Sequence, residues 1–203
     1  MSIQMIAPEV KNVPWQDRPE KLVGPPVWRY TENPIINRNP IEGVARIFNS
    51  AVVPYEDGFI GVFRGEQTNG VPYVYLGRSK DGIHWEFEKD KVQFVDEKGE
   101  PFMPVYAYDP RLVKVEDTYY IIWCGDFYGA AIGMAKTQDF KKFVRIENPF
   151  LPFNRNAGLF SFLSVFCQAV GRQLVYAACL IGKQDIVRQR SILVDKDPVI
   201  PGQ

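Results

Sequence analysis

Residues 49–66, NSAVVPYEDGFIGVFRGE, fall on residues 109–126, DPRLVKVEDTYYIIWCGD, without a gap at an offset of 60. In both copies two apolar runs meet at a Glu-Asp pair, Glu56-Asp57 and Glu116-Asp117, the pattern of two strands joined by a tight turn. A second strand pair follows each copy, YVYLGRSKDGIHWEFE and AAIGMAKTQDFKKFVRI, and these match more loosely through LGRSKDG and IGMAKTQD. Each unit therefore supplies about four short antiparallel strands, the content of one β-propeller blade. A sandwich would also use hairpins, but it has no reason to repeat a four-stranded unit in tandem.

Composition narrows the function. Lys+Arg and Asp+Glu are equal at 24 each, so the electrostatic term that drives non-specific nucleic-acid binding is missing and no DNA or RNA partner is expected. No run approaches the roughly 18 apolar residues of a membrane helix, and MSIQMIAPEVKNVPW lacks the basic and apolar regions of a signal peptide. A cytoplasmic chain is the expectation. Cys124, Cys167 and Cys179 are odd in number and show no C-x-x-C spacing, so neither a disulfide framework nor a metal site is expected. The single histidine, His84, follows a turn in DGIHWEF and reads as a surface residue, which disfavours a Ser-His-Asp triad. Aromatic residues at 14%, with 16 Gly and 16 Pro, agree with many short strands and turns. Residues 1–40 differ: Pro8, Pro14, Pro19, Pro25, Pro26, Pro34 and Pro40 remove backbone donors, which suits an extended arm rather than a strand inside a sheet.

In a propeller the first strand of each blade lines the central channel and its end opens onto the mouth. The offset sets Asn49 and Asp109 at the same position of successive blades, with Arg64-x-Glu66 against Cys124-x-Asp126. FNRNAG offers Asn156 as the start of a third blade, with Arg155 beside it. Asn side chains carry paired donors and acceptors suited to sugar hydroxyls, and Arg offers a planar fork for an anion such as phosphate. Bland readings stand beside these. Asn49 caps a strand, Asp109-Pro110 is a turn, and Arg111 is a surface residue or the partner of Asp109.

The strings IFNSAVVPYEDGFIGVFRGE, YAYDPRLVKVEDTYYIIWCGDFYGAAIGMA and LPFNRNAGLF, with NPII near position 35, resemble the N-terminal half of glycoside hydrolase family 130 from about residue 13 to residue 160. The resemblance implies an all-β, five-bladed propeller and β-mannoside phosphorylase chemistry, closest to the branch acting on β-1,4-mannooligosaccharides and mannosyl-N-acetylglucosamine. It implies Asp109 of Tyr-Asp-Pro-Arg as the general acid. Asn49, Ser50, Arg64 and Tyr108 would hold the mannosyl unit, and Arg155 with Asn156 would bind phosphate. An inverting phosphorylase needs one acid to protonate the leaving oxygen, while phosphate, already an anion, attacks without a general base. Inorganic phosphate is then a co-substrate beside the β-mannoside oligosaccharide, and no cofactor or metal is implied. Family members that hydrolyse use additional carboxylates as a base, and Glu66 alone does not settle that choice.

Three segments follow: an arm at 1–40, blades at 41–160 and a divergent tail at 161–203 that lacks the family's Gly-His-Thr-Pro loop. At about 60 residues per blade the chain makes two blades and part of a third, where about four close a ring, so an open array with uncovered edges and apolar faces is expected. The tail reads either as a genuine alternative ending or as a shifted reading frame. A non-catalytic glycan-binding or assembly module and a hydrolytic glycosidase of another five-bladed family stay open as alternatives, as does assembly into a homo-oligomer.

Overall fold

The computed structural model describes residues 29–149, 157–161 and 174–178. The described residues form twelve strands and no helix. A first sheet holds β1 (Val44–Tyr55), β2 (Gly58–Gln67), β3 (Pro72–Ser79) and β4 (Glu86–Lys91) in sequential order. The second sheet holds β7 (Ala107–Val115), β8 (Thr118–Asp126), β9 (Ala130–Thr137) and β10 (Phe143–Ile146), again as sequential neighbours. Between these four-stranded units in sequence lie β5 (Phe94–Val95) and β6 (Pro101–Phe102); β5 pairs parallel to β10 and so covers the outer edge of the second sheet. A last hairpin pairs β11 (Ala157–Ser161) with β12 (Leu174–Ala178). This is two blades and one further hairpin, the partial propeller expected from the repeat.

The repeat holds residue by residue. Tyr55 pairs with Gly58 and Val115 with Thr118, leaving Glu56-Asp57 and Glu116-Asp117 as two-residue loops. The first loop residue has φ 52 in one and 54 in the other, the positive region that both primed hairpin turns require there. Each inner strand then carries an extra residue at nearly the same place: β1 shifts register between Ile47 and Ser50, and β7 between Tyr108 and Arg111, one position further along the repeat. Such a bulge bends the strand and re-aims its side chains. In the outer halves Arg64 pairs with Val74 and Cys124 with Ile132, so the offset drops from 60 to 58 because the β8–β9 connection is two residues shorter. That contraction explains the looser match of the second strand pairs.

The turns after β3 and β9 repeat in chemistry as well as in place. Ser79 Oγ accepts the N–H of Gly82, and Thr137 Oγ1 accepts that of Phe140. Asp81 Oδ1 accepts from Ile83 and His84, and Asp139 Oδ1 from Lys141 and Lys142. His84 is exposed and its Nδ1 lies 2.7 Å from Asp81 Oδ2, which makes it part of a surface turn, as its sequence context suggests. The third turn residue has positive φ in both blades, Gly82 at 77 and Phe140 at 58.

The main core lies between the blades. Ile60, Val62, Val74 and Leu76 of the first face Tyr119, Ile121, Trp123, Phe140 and Phe143 of the second, and Tyr55 reaches across to Tyr119 and Phe140 with ring centroids 6.0 and 5.1 Å apart. Both faces of β2 and β8 are covered, so these strands read as continuous apolar runs rather than alternating ones. Uncovered apolar faces were expected, and much of that surface is closed from within the blade. On the first blade Phe63 and Tyr75 are buried on the face away from the second blade, and Phe63 packs edge-on against Trp85 and Phe87. The ring of Phe63 lies flat over Gly61, where a Cβ would come within 2.5 Å of it; Trp123 covers Gly133 in the same way. Large exposed hydrophobic residues among the described ones are Ile35, Phe48, Val52, Met103, Val105 and Tyr128.

Phe140 combines a buried ring with a backbone that favours glycine. Phe140→Ala and Phe140→Gly should each cost about 3–5 kcal/mol through the lost ring. Glycine should nevertheless be the less harmful of the two, the reverse of its usual order, because the strain at positive φ is relieved. Urea unfolding of both variants checks this; an alanine variant clearly more stable than the glycine variant would contradict it. The carboxyls of Asp81, held chiefly by the His84 side chain, and of Asp139, held by the N–H groups of Lys141 and Lys142, lie below the usual carboxylate range. A depressed carboxylate contributes stability that is complete above its unfolded pKa and lost as pH falls toward its folded one. Thermal midpoints should therefore decline below about pH 4, and Asp81→Asn should flatten that decline.

Candidate active site

A guanidinium joins the two blades at the end of the strands opposite the Glu-Asp hairpins. Arg64, near the end of β2, donates through Nη1 to Asp109 Oδ1 at 3.0 Å and through Nη2 to Glu66 Oε2 at 2.9 Å. Its two forks thus hold carboxylates from different blades. The guanidinium carbon also lies 5.1 Å from the ring centre of Phe48 and 5.2 Å from that of Tyr108, a cation held by two π faces as well as two anions. Partial burial opposes the charge of Arg64, but the hydrogen bonds and charges of Asp109 and Glu66 outweigh it and its pKa is raised. The Nε atom is buried with no hydrogen-bond partner among the described residues.

The backbone explains why these groups meet. Asp109 lies inside the β7 bulge with φ 51, a left-handed conformation that Asp tolerates better than most residues. Pro110, next to it, is fully buried. Asn49 falls in the matching bulge of β1, and Ser50 closes it, its hydroxyl donating to the carbonyl of Phe48 at 2.8 Å. β1, β2 and β3 all pack against β7, so the bulged inner strands of the two blades are neighbours.

Of the residues singled out from sequence, Arg64, Tyr108 and Asp109 are in contact, and Asn49 and Ser50 lie on the adjoining bulge beside Phe48. Arg155 and Asn156 lie outside the described residues. Two bland readings are replaced. Asp109-Pro110 is a bulge within a strand rather than a turn, and Arg111 does not pair with the Asp109 carboxylate. Its Nη1 donates to the carbonyl of Pro110 at 3.0 Å, which leaves Asp109 to Arg64. Glu66 was not among the site candidates, although its signal was available: Arg-x-Glu on one strand sets both side chains on the same face. Phe48 had no such signal.

Clefts of about 410 and 380 Å3 lie at the other end of the blades, at repeat-equivalent places beside the Ser79–Asp81 and Thr137–Asp139 turns. They are products of the blade scaffold and hold none of the residues above.

Two four-stranded blades packed through bulged inner strands, with a charged cluster where those bulges meet, define part of a β-propeller. The chain belongs to glycoside hydrolase family 130: the family described as beta-1,4-mannooligosaccharide phosphorylase matches residues 8–178, extending into the segment read from sequence as a divergent tail. It is 45% identical over 156 residues to the beta-1,4-mannooligosaccharide phosphorylase of Ruminococcus albus, a match covering 73% of this chain and 46% of that protein. The chain thus spans about half the length of that relative. Among solved structures it is similar to the β-1,2-mannobiose phosphorylase of Listeria innocua in complex with β-1,2-mannobiose, with TM-score 0.55 and 17% identity over 75% of this chain and 58% of that one. A structure from Bacteroides ovatus matches with TM-score 0.55 and 20% identity over 77% of this chain and 51% of that one. These two likenesses establish the propeller fold.

If Arg64 screens two carboxylates from each other, Arg64→Ala should destabilise the chain at neutral pH, and adding Glu66→Gln should restore part of the loss. The coupling expected for such directly bonded groups is about 0.5–3 kcal/mol, read from thermal unfolding of the single and double variants. Strictly additive effects would show that Arg64 does not serve both anions.

Proposed function

We propose that this chain carries the sugar-binding and proton-donating part of a β-mannoside phosphorylase site. The observation that carries this reading is the placement of Asp109. A carboxylate at a strained bulge, bound by an arginine of the neighbouring blade, stands in a chain that matches the mannooligosaccharide phosphorylase family over most of its length. In the reaction so inferred, a phosphate oxygen attacks the anomeric carbon, the glycosidic C–O bond breaks, and Asp109 delivers its proton to the departing oxygen. The products are mannose 1-phosphate and the shortened mannoside. Asn49, Ser50, Arg64 and Tyr108 hold the mannosyl unit; Arg155 and Asn156 receive the phosphate.

In this reading Arg64 has a second task. Its hydrogen bond to Asp109 engages one carboxyl oxygen, leaving Oδ2 as the atom to carry the proton. Glu66 holds the other fork and keeps the guanidinium from closing on Asp109 through both nitrogens.

Asp109→Asn keeps the shape and removes the proton. Phosphate-dependent release of mannose 1-phosphate should then fall by about 10²–10⁴, the usual size of an acid-catalysis contribution, while binding of mannooligosaccharide is largely retained. Near-normal turnover in the variant would remove Asp109 from the mechanism. Mannoside binding by the unaltered chain with no phosphate-dependent release would instead mark a glycan-binding module.

A further inference from the structure

Just ahead of β1 the chain doubles back on itself. The N–H of Val44 donates to the carbonyl of Ile41, that of Asn39 to Ala45 and that of Thr68 to Gly43, each at 3.0 Å. Ile41 and Val44 are buried with Tyr75, so the reversal is anchored in the first blade. Asn39 at φ 53 and Gly43 at φ 78 take left-handed backbone on either side of Ile41, a conformation that these two residue types accept. The segment before the reversal is thereby laid beside the start of β1, and Arg38 comes to the same cleft as Arg46.

That cleft is about 580 Å3 and is lined by Pro34, Ile36, Asn37, Arg38, Arg46 and Ile47. It brings together two guanidinium groups and a carboxamide, with no carboxylate from the described residues; Glu42, within the reversal, is exposed and does not line it. Among the described residues neither arginine forms an ion pair or a side-chain hydrogen bond. The carboxylate opposite Arg46 in the β1–β2 ladder is Glu66, and its Oε2 accepts from Arg64 instead. Basic and acidic side chains are equal in number over the chain, so the pair is not the by-product of a basic composition. Two like charges held at one cleft by a braced turn repel each other, and an anion between them removes that cost.

The repeat does not demand these residues. At the 60-residue offset Arg38 falls on Lys98 and Arg46 on Tyr106. Lys98 sits in the tight turn between β5 and β6, where Asp96 Oδ1 accepts the N–H groups of Lys98 and Glu100. The paired guanidinium groups belong to the first blade and have no copy in the second.

We propose that the Arg38–Arg46 cleft binds a phosphate dianion, free or as the ester of a sugar. Each guanidinium offers a planar fork to two oxygens, and two forks match two negative charges where a carboxylate carries one. Asn37 supplies a donor and an acceptor for a hydroxyl, and Pro34, Ile36 and Ile47 supply an apolar wall, in a cleft of the size that small-molecule ligands occupy. Asn49, Ser50, Arg64, Tyr108 and Asp109 do not line it. The cleft is thus an anion site beside the reaction site, and the inference stands independently of the phosphorylase reading.

The test is calorimetric titration of the 203-residue chain and its Arg38→Gln, Arg46→Gln and Arg155→Gln variants with inorganic phosphate, mannose 1-phosphate and mannose. Arg38→Gln and Arg46→Gln should each weaken anion binding about tenfold, the factor expected of one charge-assisted hydrogen bond. Melting temperature and any affinity for uncharged mannose should stay unchanged, since both side chains are exposed. Arg155→Gln should still bind one anion. Tighter binding of the ester identifies the ligand as a sugar phosphate and equal binding as the free ion; both support the site. Anion affinities that do not change in Arg38→Gln and Arg46→Gln overturn it. So does binding lost only in Arg155→Gln, which assigns the phosphate to the reaction site and leaves the phosphorylase reading standing. Failure of the unaltered chain to bind either anion also overturns the site.

Discussion

The Arg64 guanidinium is the point at which two separately folded blades become one site. Each blade pairs its own strands, and apolar side chains hold the blades together without regard to direction. The arginine adds direction. One fork stays on its own strand at Glu66, the other crosses to Asp109, and Phe48 and Tyr108 close over the faces of the cation. A lysine could supply the charge but not the two-pronged geometry. The relative setting of the inner strands and the aim of the Asp109 carboxylate therefore depend on the same group.

Strain is distributed along the same logic. Asp109, Tyr128 and Phe140 all have positive φ, and each is held by neighbours that over-determine it: a buried proline and an arginine for Asp109, an Asp-capped loop for Tyr128, a threonine hydroxyl and a packed ring for Phe140. At the hairpin end Phe140 serves packing, while Glu56 and Glu116 only close exposed turns. At the opposite end Asp109 and Tyr128 present side chains away from the core. One four-stranded scaffold thus supports two kinds of special backbone position, distinguished by which end of the strands they occupy.

The covering of the blade faces follows from glycine and aromatic residues used together. Phe63 over Gly61 and Trp123 over Gly133 let a large ring lie flat against the sheet where any side chain would obstruct it. The hairpin of β5 and β6 does similar work at an edge, since β5 pairs with β10 and its Phe94 stacks on Trp123 with ring centroids 4.2 Å apart. The rings over the blade faces come from the blades' own strands, and the outer edge of the second sheet is covered by the connecting chain.

Strand pairing within each blade was legible in the sequence because it is local. Period, turn residues and the 60-residue offset fix which strand meets which, so Asn49 and Asp109 could be matched before any coordinates, although the bulges that hold them could not be read. Arg64 was marked by the repeat, which sets Arg64-x-Glu66 against Cys124-x-Asp126, whereas Tyr108 was named only through the family resemblance. Contacts between elements far apart in the chain were not legible. Arg111, adjacent to Pro110, was the nearest candidate for the Asp109 carboxylate, yet the partner is Arg64, 45 residues away, because the packing of one blade on the next brings β2 onto β7. The return of β5 to pair with β10 likewise carries no periodic signal, since two-residue strands are too short to show one. The sequence by itself determined the blades and their repeated turns, through hydrogen bonds between neighbours along the chain. Only the tertiary structure decided which charges face each other across the blades, because that depends on how two apolar surfaces settle together.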